Sequence, residues 1–227
     1  QPIEGSDERK NEIKLQCEGS CMILYALFYD GQDNEGRWQS INAGVVDALL
    51  RMFETRDLKL ITHTNSEAFL KLTLTNTDNL ALILKANPYP GLLKLLKHQN
   101  QEVISDSITS IINILSIKSN SSSIAQTHPQ FNQISEYGGI EKIFSVLQLQ
   151  SKEMKQNRNK AALCLGLIFQ AKEISNPNMK MIITHIKTLI NDSDVWTKST
   201  ARKVLNGLAV NAVNKAEIEK GGFKIPQ

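Results

Sequence analysis

The sequence predicts an all-α protein, a right-handed α-solenoid of stacked helical repeats. Three observations carry that expectation: paired apolar stripes at helical spacing, their return at a nearly constant interval, and an aliphatic composition poor in turn residues. The clearest unit is Ile134 to Ala171. After Gly138-Gly139, apolar side chains fall at Ile140, Ile143, Phe144 and Leu147, the i, i+3, i+4, i+7 pattern of one helix face. A polar run, Gln148 to Lys160, turns the chain, and a second stripe follows at Ala161, Cys164, Leu165 and Ile168. Two such helices leave one apolar face open, which a further hairpin stacked on it would cover.

The interval is the strongest signal. The residues that open successive stripes are Val46, Tyr89, Ile140, Ile182 and Phe223, separated by 43, 51, 42 and 41 positions. Self-similarity at this period is the mark of a solenoid. Only 6% of residues are aromatic and 41% are apolar, which suits aliphatic helix packing better than an all-β design.

In chain order, residues 1–11 read as a flexible lead-in and 12–227 as one repeat domain, about four complete or near-complete units with partial units at each end. Glu12 to Tyr29 reads as a helix with Ile13, Cys17, Ser20, Leu24 and Leu27 on one face. Gly44 precedes the stripe Val46, Leu49, Leu50 and Phe53, and a long helix from Leu58 to Thr75 follows, closed by residues 75–79. In the third copy Pro88 and Pro90 replace the glycines as the break, before Tyr89, Leu92, Leu93 and Leu96. Its partner helix runs from Val103 to Ile117. The Ser/Asn/Gln-rich stretch 118–133, which accounts for the one long interval, reads as a mobile inserted loop. The fifth copy sets Ile182, Ile186 and Leu189 in line, and residues 191–194 offer an N-cap for a helix from Val195 to Val210. The chain opens without Met, and Ile218, Gly221-Gly222 and Phe223 begin a further unit, so it reads as a segment of a longer array.

INAGVVDALLRMF (41–53), ISEYGGIEKIFSVL (134–147), LNGLA (205–209) and IEKGGF (218–223) together resemble the armadillo repeat, whose unit is a short first helix ending in Gly, a second helix and a third. HEAT repeats share the period and are the structural alternative. The resemblance implies a concave groove lined by third helices that holds an extended peptide or another protein. Importin-like members clamp a basic peptide with rows of Trp and Asn. Here Asn113 takes the Asn position, while Leu74, Leu167 and Gly207 stand at its equivalents, and the Trp position holds Leu70, Thr109, Leu163 and Lys203. That departure, with Lys160, Arg202 and Lys203 nearby, argues against a basic peptide. The groove residues expected from the resemblance are Thr109, Asn113, Lys160, Leu163 and Lys203.

No catalytic, cofactor or metal constellation stands out. His63, His98, His128 and His185 are scattered, and His185 reads as a partly buried helix residue. The glycine pairs lack the Lys and the strand of a phosphate loop. Cys17, Cys21 and Cys164 fall in apolar helical patterns and read as core, as does Trp196. An odd cysteine count, no signal peptide and no membrane-spanning run make an intracellular setting, cytoplasmic or nuclear, the expectation.

Net charge is +3, with eight Lys/Arg against four Asp/Glu from Lys180 onward. Near-neutral charge without repeated stacking aromatics argues against nucleic acid, and nothing points to a small-molecule substrate. The reading is therefore a non-catalytic protein-binding scaffold with a protein or peptide partner. The alternatives are a regulatory or substrate-docking segment of a larger enzyme, such as a kinase or ubiquitin ligase, and a nucleic-acid-binding helical repeat.

Overall fold

A computed structural model describes residues 6–29, 31, 33–117 and 126–225. Its secondary structure there is helical, and its contacts group into two compact bodies divided after Ile117.

In the first body, α1 (Asp7–Leu27) is followed by two triplets: α2 (Asn34–Asn42), α3 (Val45–Thr55) and α4 (His63–Thr73), then α5 (Thr77–Lys85), α6 (Tyr89–Leu95) and α7 (Gln101–Leu115). Like packs on like: α1 on α4 and α4 on α7, α3 on α6, and α2 on α5. The second body has α8 (Phe131–Glu136), α9 (Gly139–Leu147) and α10 (Lys155–Ile168). A 3-10 turn (Pro177–Lys180), α11 (Met181–Leu189), α12 (Val195–Ala209) and α13 (Ala212–Glu219) complete it. There α10 packs on α12, and α11 on α13.

The apolar stripes became the core. Val46, Leu49, Leu50 and Phe53, then Tyr89, Leu92, Leu93 and Leu96, are buried in the first body. Ile140, Ile143, Phe144, Leu147, Ile182, Ile186 and Leu189 are buried in the second. In three of the copies one residue between first and second helices adopts a left-handed conformation. Gly44 (φ 83) and Gly138 (φ 61) supply it at no steric cost. In the third copy Asn87 (φ 54) supplies it, one residue ahead of the prolines that the sequence suggested. Two of the longer helices, α7 and α12, start on polar caps: Asn100 Oδ1 accepts from Glu102 N–H at 2.7 Å, and Asp194 from Thr197 N–H at 2.7 Å.

Polar side chains stitch successive triplets together. Asn79, buried in the first turn of α5, donates to the Asn34 carbonyl at 2.8 Å. Asn214, at the same place in α13, donates to the Lys172 carbonyl at 2.8 Å and accepts from Ile174 N–H at 3.0 Å. Arg37, 1% exposed, donates to the carbonyls of Lys71 (2.9 Å), Asp33 (3.1 Å) and Phe28 (3.4 Å) and lies 4.8 Å from the centre of the Phe28 ring. Two of those carbonyls end α1 and α4, where the helix dipole favours a cation. Burial nevertheless pulls the guanidinium pKa down, with Asp33 opposing.

Several boundaries differ from the sequence reading. Residues 7–11 belong to α1, whose cap is Ser6, and 1–5 lie outside the described residues. The inner face of α1 is carried by Cys17, Cys21 and Leu24, with Phe28 at its C-cap, while Ser20 and Leu27 are exposed, Leu27 by 63%. The expected helix from Leu58 to Thr75 is broken. A 3-10 turn (Leu58–Leu60) precedes the buried Ile61, and a cap in which Asn65 Oδ1 accepts from Thr62 N–H at 2.9 Å starts α4 afresh. Asn76, expected to close a helix, opens α5 by accepting from Asn79 N–H. The polar run 148–160 is helical from Lys155, with Asn157 and Asn159 buried. Of the expected loop 118–133, residues 118–125 lie outside the described residues. Phe131 to Gln133 are in α8, where Phe131 meets the Phe169 ring edge-on at 5.6 Å.

Gly166 shows how closely α10 meets its neighbours, because an added Cβ would run into Val204 Cγ1 and Ile186 Cδ1. At Gly207 it would only touch Gln170, at 3.4 Å. We expect Gly166→Ala to cost about 1–3 kcal/mol by overpacking, despite alanine's better helix propensity. Gly207→Ala should be neutral or stabilising by up to about 1 kcal/mol. Urea denaturation followed by circular dichroism compares the two, and equal effects would contradict the close-approach account.

Candidate functional site

The surface available to a partner is set by which sides of the third helices stay uncovered. In the first body these belong to α4 and α7. His63 sits 3.4 Å from a Glu102 carboxylate oxygen and 3.3 Å from one of Asp106, which also accepts from Ser66 Oγ at 2.6 Å. Leu70, half-buried, and Leu74, exposed, continue the α4 face. Thr109 is half-buried, its hydroxyl donating to the Ser105 carbonyl at 2.7 Å. Asn113 donates to Thr73 Oγ1 at 3.0 Å, so its amide is already engaged by the neighbouring third helix. It borders a depression of about 640 Å³ shared with Thr73, Leu74 and Ser116.

The second body presents a different chemistry. Trp196, expected in the core, is 44% exposed. It lies one residue beyond the first of α12, whose inward stripe starts only at Ala201. With Lys155, Gln156, Asn159, Lys160, Asp194 and Thr197 it lines a cavity of about 370 Å³. Asp194 is held below the usual carboxylate range, chiefly by accepting from Thr197 N–H, with the Lys160 charge adding to the effect. His185 is part-buried and its Nε2 lies 2.8 Å from Asn159 Oδ1, fixing the amide that lines this cavity. Further along α12, Val195, Lys198, Ser199, Arg202, Lys203 and Asn206 line a second depression of about 360 Å³.

Of the five residues expected on the binding face, Thr109 and Asn113 lie together on α7, and Lys160 and Lys203 border cavities in the second body. Leu163 does not belong with them, being 0% exposed. Residues 161 to 166 are all buried because α9, α11 and α12 pack around that part of α10. Among the described residues no cluster of three His, Cys, Asp or Glu is placed to hold a metal ion, and no helix is long and apolar enough to cross a membrane.

No protein-family model and no curated protein matches the chain. Solved structures do. The designed armadillo repeat protein YIII(Dq)4CqI superposes with a TM-score of 0.64 at 17% identity, over 96% of this chain and 84% of that one. A second designed armadillo repeat protein, solved in complex with the peptide (KR)4, gives 0.60 at 17% identity, over 97% and 84%. A computationally designed set described as for modular peptide recognition gives 0.61 at 18%, over 96% and 83%. The fold is that of armadillo repeats. In armadillo terms α4, α7, α10 and α12 are the third helices, α3, α6, α9 and α11 the second, and α2, α5, α8 and α13 first helices.

Burial first, and then Arg158, lowers the pKa of His185. A histidine whose folded pKa lies below its unfolded value of about 6.5 stabilises the fold above that value and loses the contribution as pH falls through the folded pKa. We expect the melting midpoint to drop as pH is lowered from about 7.5 to about 5, and His185→Gln to show a shallower drop. A thermal melt series across pH tests this, and parallel curves for the two proteins would refute it.

Proposed function

We propose that this chain is a non-catalytic scaffold that holds an extended peptide segment of a partner protein on the third-helix surface of α10 and α12 in the second body. On α10 and α12 the segment is acidic and carries an apolar side chain. One observation supports this most: half-exposed Trp196 borders a cavity rimmed by Lys155 and Lys160, on the helix that also displays Lys198, Arg202 and Lys203. No ion pair among the described residues engages the last three. The α12 cations Lys198, Arg202 and Lys203, left without carboxylate partners among the described residues and on the same helix as an aromatic wall, suit carboxylates flanking an apolar group. The designed relative solved with (KR)4 holds a peptide of opposite charge, so the shared fold does not impose that preference here. A docking segment of a larger enzyme would use the same face in the same way.

The test is a fluorescence titration in a Trp38→Phe background, where Trp196 is the remaining tryptophan, with an extended peptide of alternating Asp and Glu around a central Leu. We expect saturable binding that weakens with salt. Lys160→Glu combined with Lys203→Glu should weaken it about tenfold or more. A matched Lys/Arg peptide should not bind. Equal binding of both peptides, or indifference to the charge reversals, would remove this reading.

A further inference from the structure

The three thiols have unlike surroundings. Cys164 is sealed in α10 and burial pushes its pKa up. Cys21 is 2% exposed, in hydrogen-bond range of the Asn65 amide at 3.4 Å, and its pKa is also raised, by its hydrogen bond to Cys17 and by burial. Cys17, one turn before Cys21 on α1, is only half-buried and sits where α1 meets the end of α3. Its Sγ lies 3.8 Å from Arg56 Nη1 and 3.5 Å from Met52 Sδ.

Met52 and Arg56 also form the wall of a surface depression of about 440 Å³, completed by Ala48, Arg51 and Thr55. Among the described residues no carboxylate pairs with Arg51 or Arg56. The site therefore places a partly accessible sulfur against a guanidinium, with a second guanidinium on the wall of the adjoining hollow. We propose that Cys17 is a thiol-modification site that forms a mixed disulfide with an anionic low-molecular-weight thiol, taken from a disulfide such as glutathione disulfide whose carboxylates Arg51 and Arg56 receive.

The chemistry balances without another oxidant. The Cys17 thiolate attacks one sulfur of glutathione disulfide, the new S–S bond forms as the old one breaks, and the departing glutathione thiolate takes a proton from water. The thiolate is the reacting form. Cys17 is held in it by the hydrogen bond from Cys21 first and by Arg56 next, which together outweigh burial and the nearby Glu18 and lower its pKa to about 6.

The experiment incubates the whole chain with glutathione disulfide near neutral pH and follows it by intact mass and peptide mapping. One glutathione should add, at Cys17, several-fold faster than at any thiol of the urea-unfolded chain, the larger thiolate fraction being partly offset by the lower nucleophilicity of a low-pKa thiolate. The rate should level off at a pH below the usual thiol range. Arg56→Gln should slow the reaction about tenfold. Arg51→Gln, an exposed position that should not disturb folding, should slow glutathione disulfide several-fold while leaving an uncharged aromatic disulfide unaffected. First addition at Cys21 or Cys164, a native rate at Cys17 no faster than in urea, or Arg51→Gln and Arg56→Gln variants that fold and react like the parent would each overturn the proposal.

Discussion

Everything in this fold depends on one requirement: an apolar stripe on a third helix must be covered by something other than its own repeat. Ala68 and Leu72 of α4 and Ile108 and Ile111 of α7 are fully buried, with α4 packed on both α1 and α7. Ala161 and Cys164 of α10, and Ala201 and Leu208 of α12, repeat the arrangement in the second body. Burial of apolar surface contributes on the order of 25 cal/mol per Å², so a repeat standing alone would forgo much of its stabilisation. The left-handed turn residues serve this same requirement. They let first and second helices pack at the angle that leaves the third free to stack.

Hydrogen-bonding side chains then decide the spacing of the stack. Asn79 and Asn214 each satisfy a main-chain group of the preceding segment from inside the protein, and Arg37 gathers three carbonyls, two of them at the ends of α1 and α4. A buried polar group leaves no slack, because an unmade bond costs its full desolvation. These residues are therefore more exacting about geometry than the aliphatic seam around them. Where the packing leaves helix surface uncovered, the two bodies differ in charge. The face of α4 and α7 carries His63 among Glu102 and Asp106, and that of α12 carries lysines and an arginine.

Much of the architecture was legible because periodicity survives in any single helix. The second-helix stripes, the repeat interval and the Asp194 cap could all be read from residue spacing. The errors fell where spacing is ambiguous. On α1 two neighbouring stripes were almost equally apolar, and only packing against α4 selects Cys21 over Ser20. The chain from Leu58 to Thr75 kept its helical pattern through a break made by a cap between Thr62 and Asn65, a signal present in the residues but outweighed by the stripe. Of the candidate surface, Lys160 and Lys203 are expected from the family resemblance, whereas Trp196, which reads as core in the sequence, is exposed.

The sequence by itself determined that the chain is helical, that it repeats, and which side of each second helix is apolar, since these follow from the order of side chains along a 3.6-residue turn. Tertiary structure alone decided the exposure of each third-helix residue. Leu163 and Lys203 each stand nine residues past the N-cap of their helix, yet one is sealed between three helices and the other faces solvent. It also decided which of three cysteines meets an arginine. Both outcomes depend on elements well separated along the chain, and a local pattern holds no record of them.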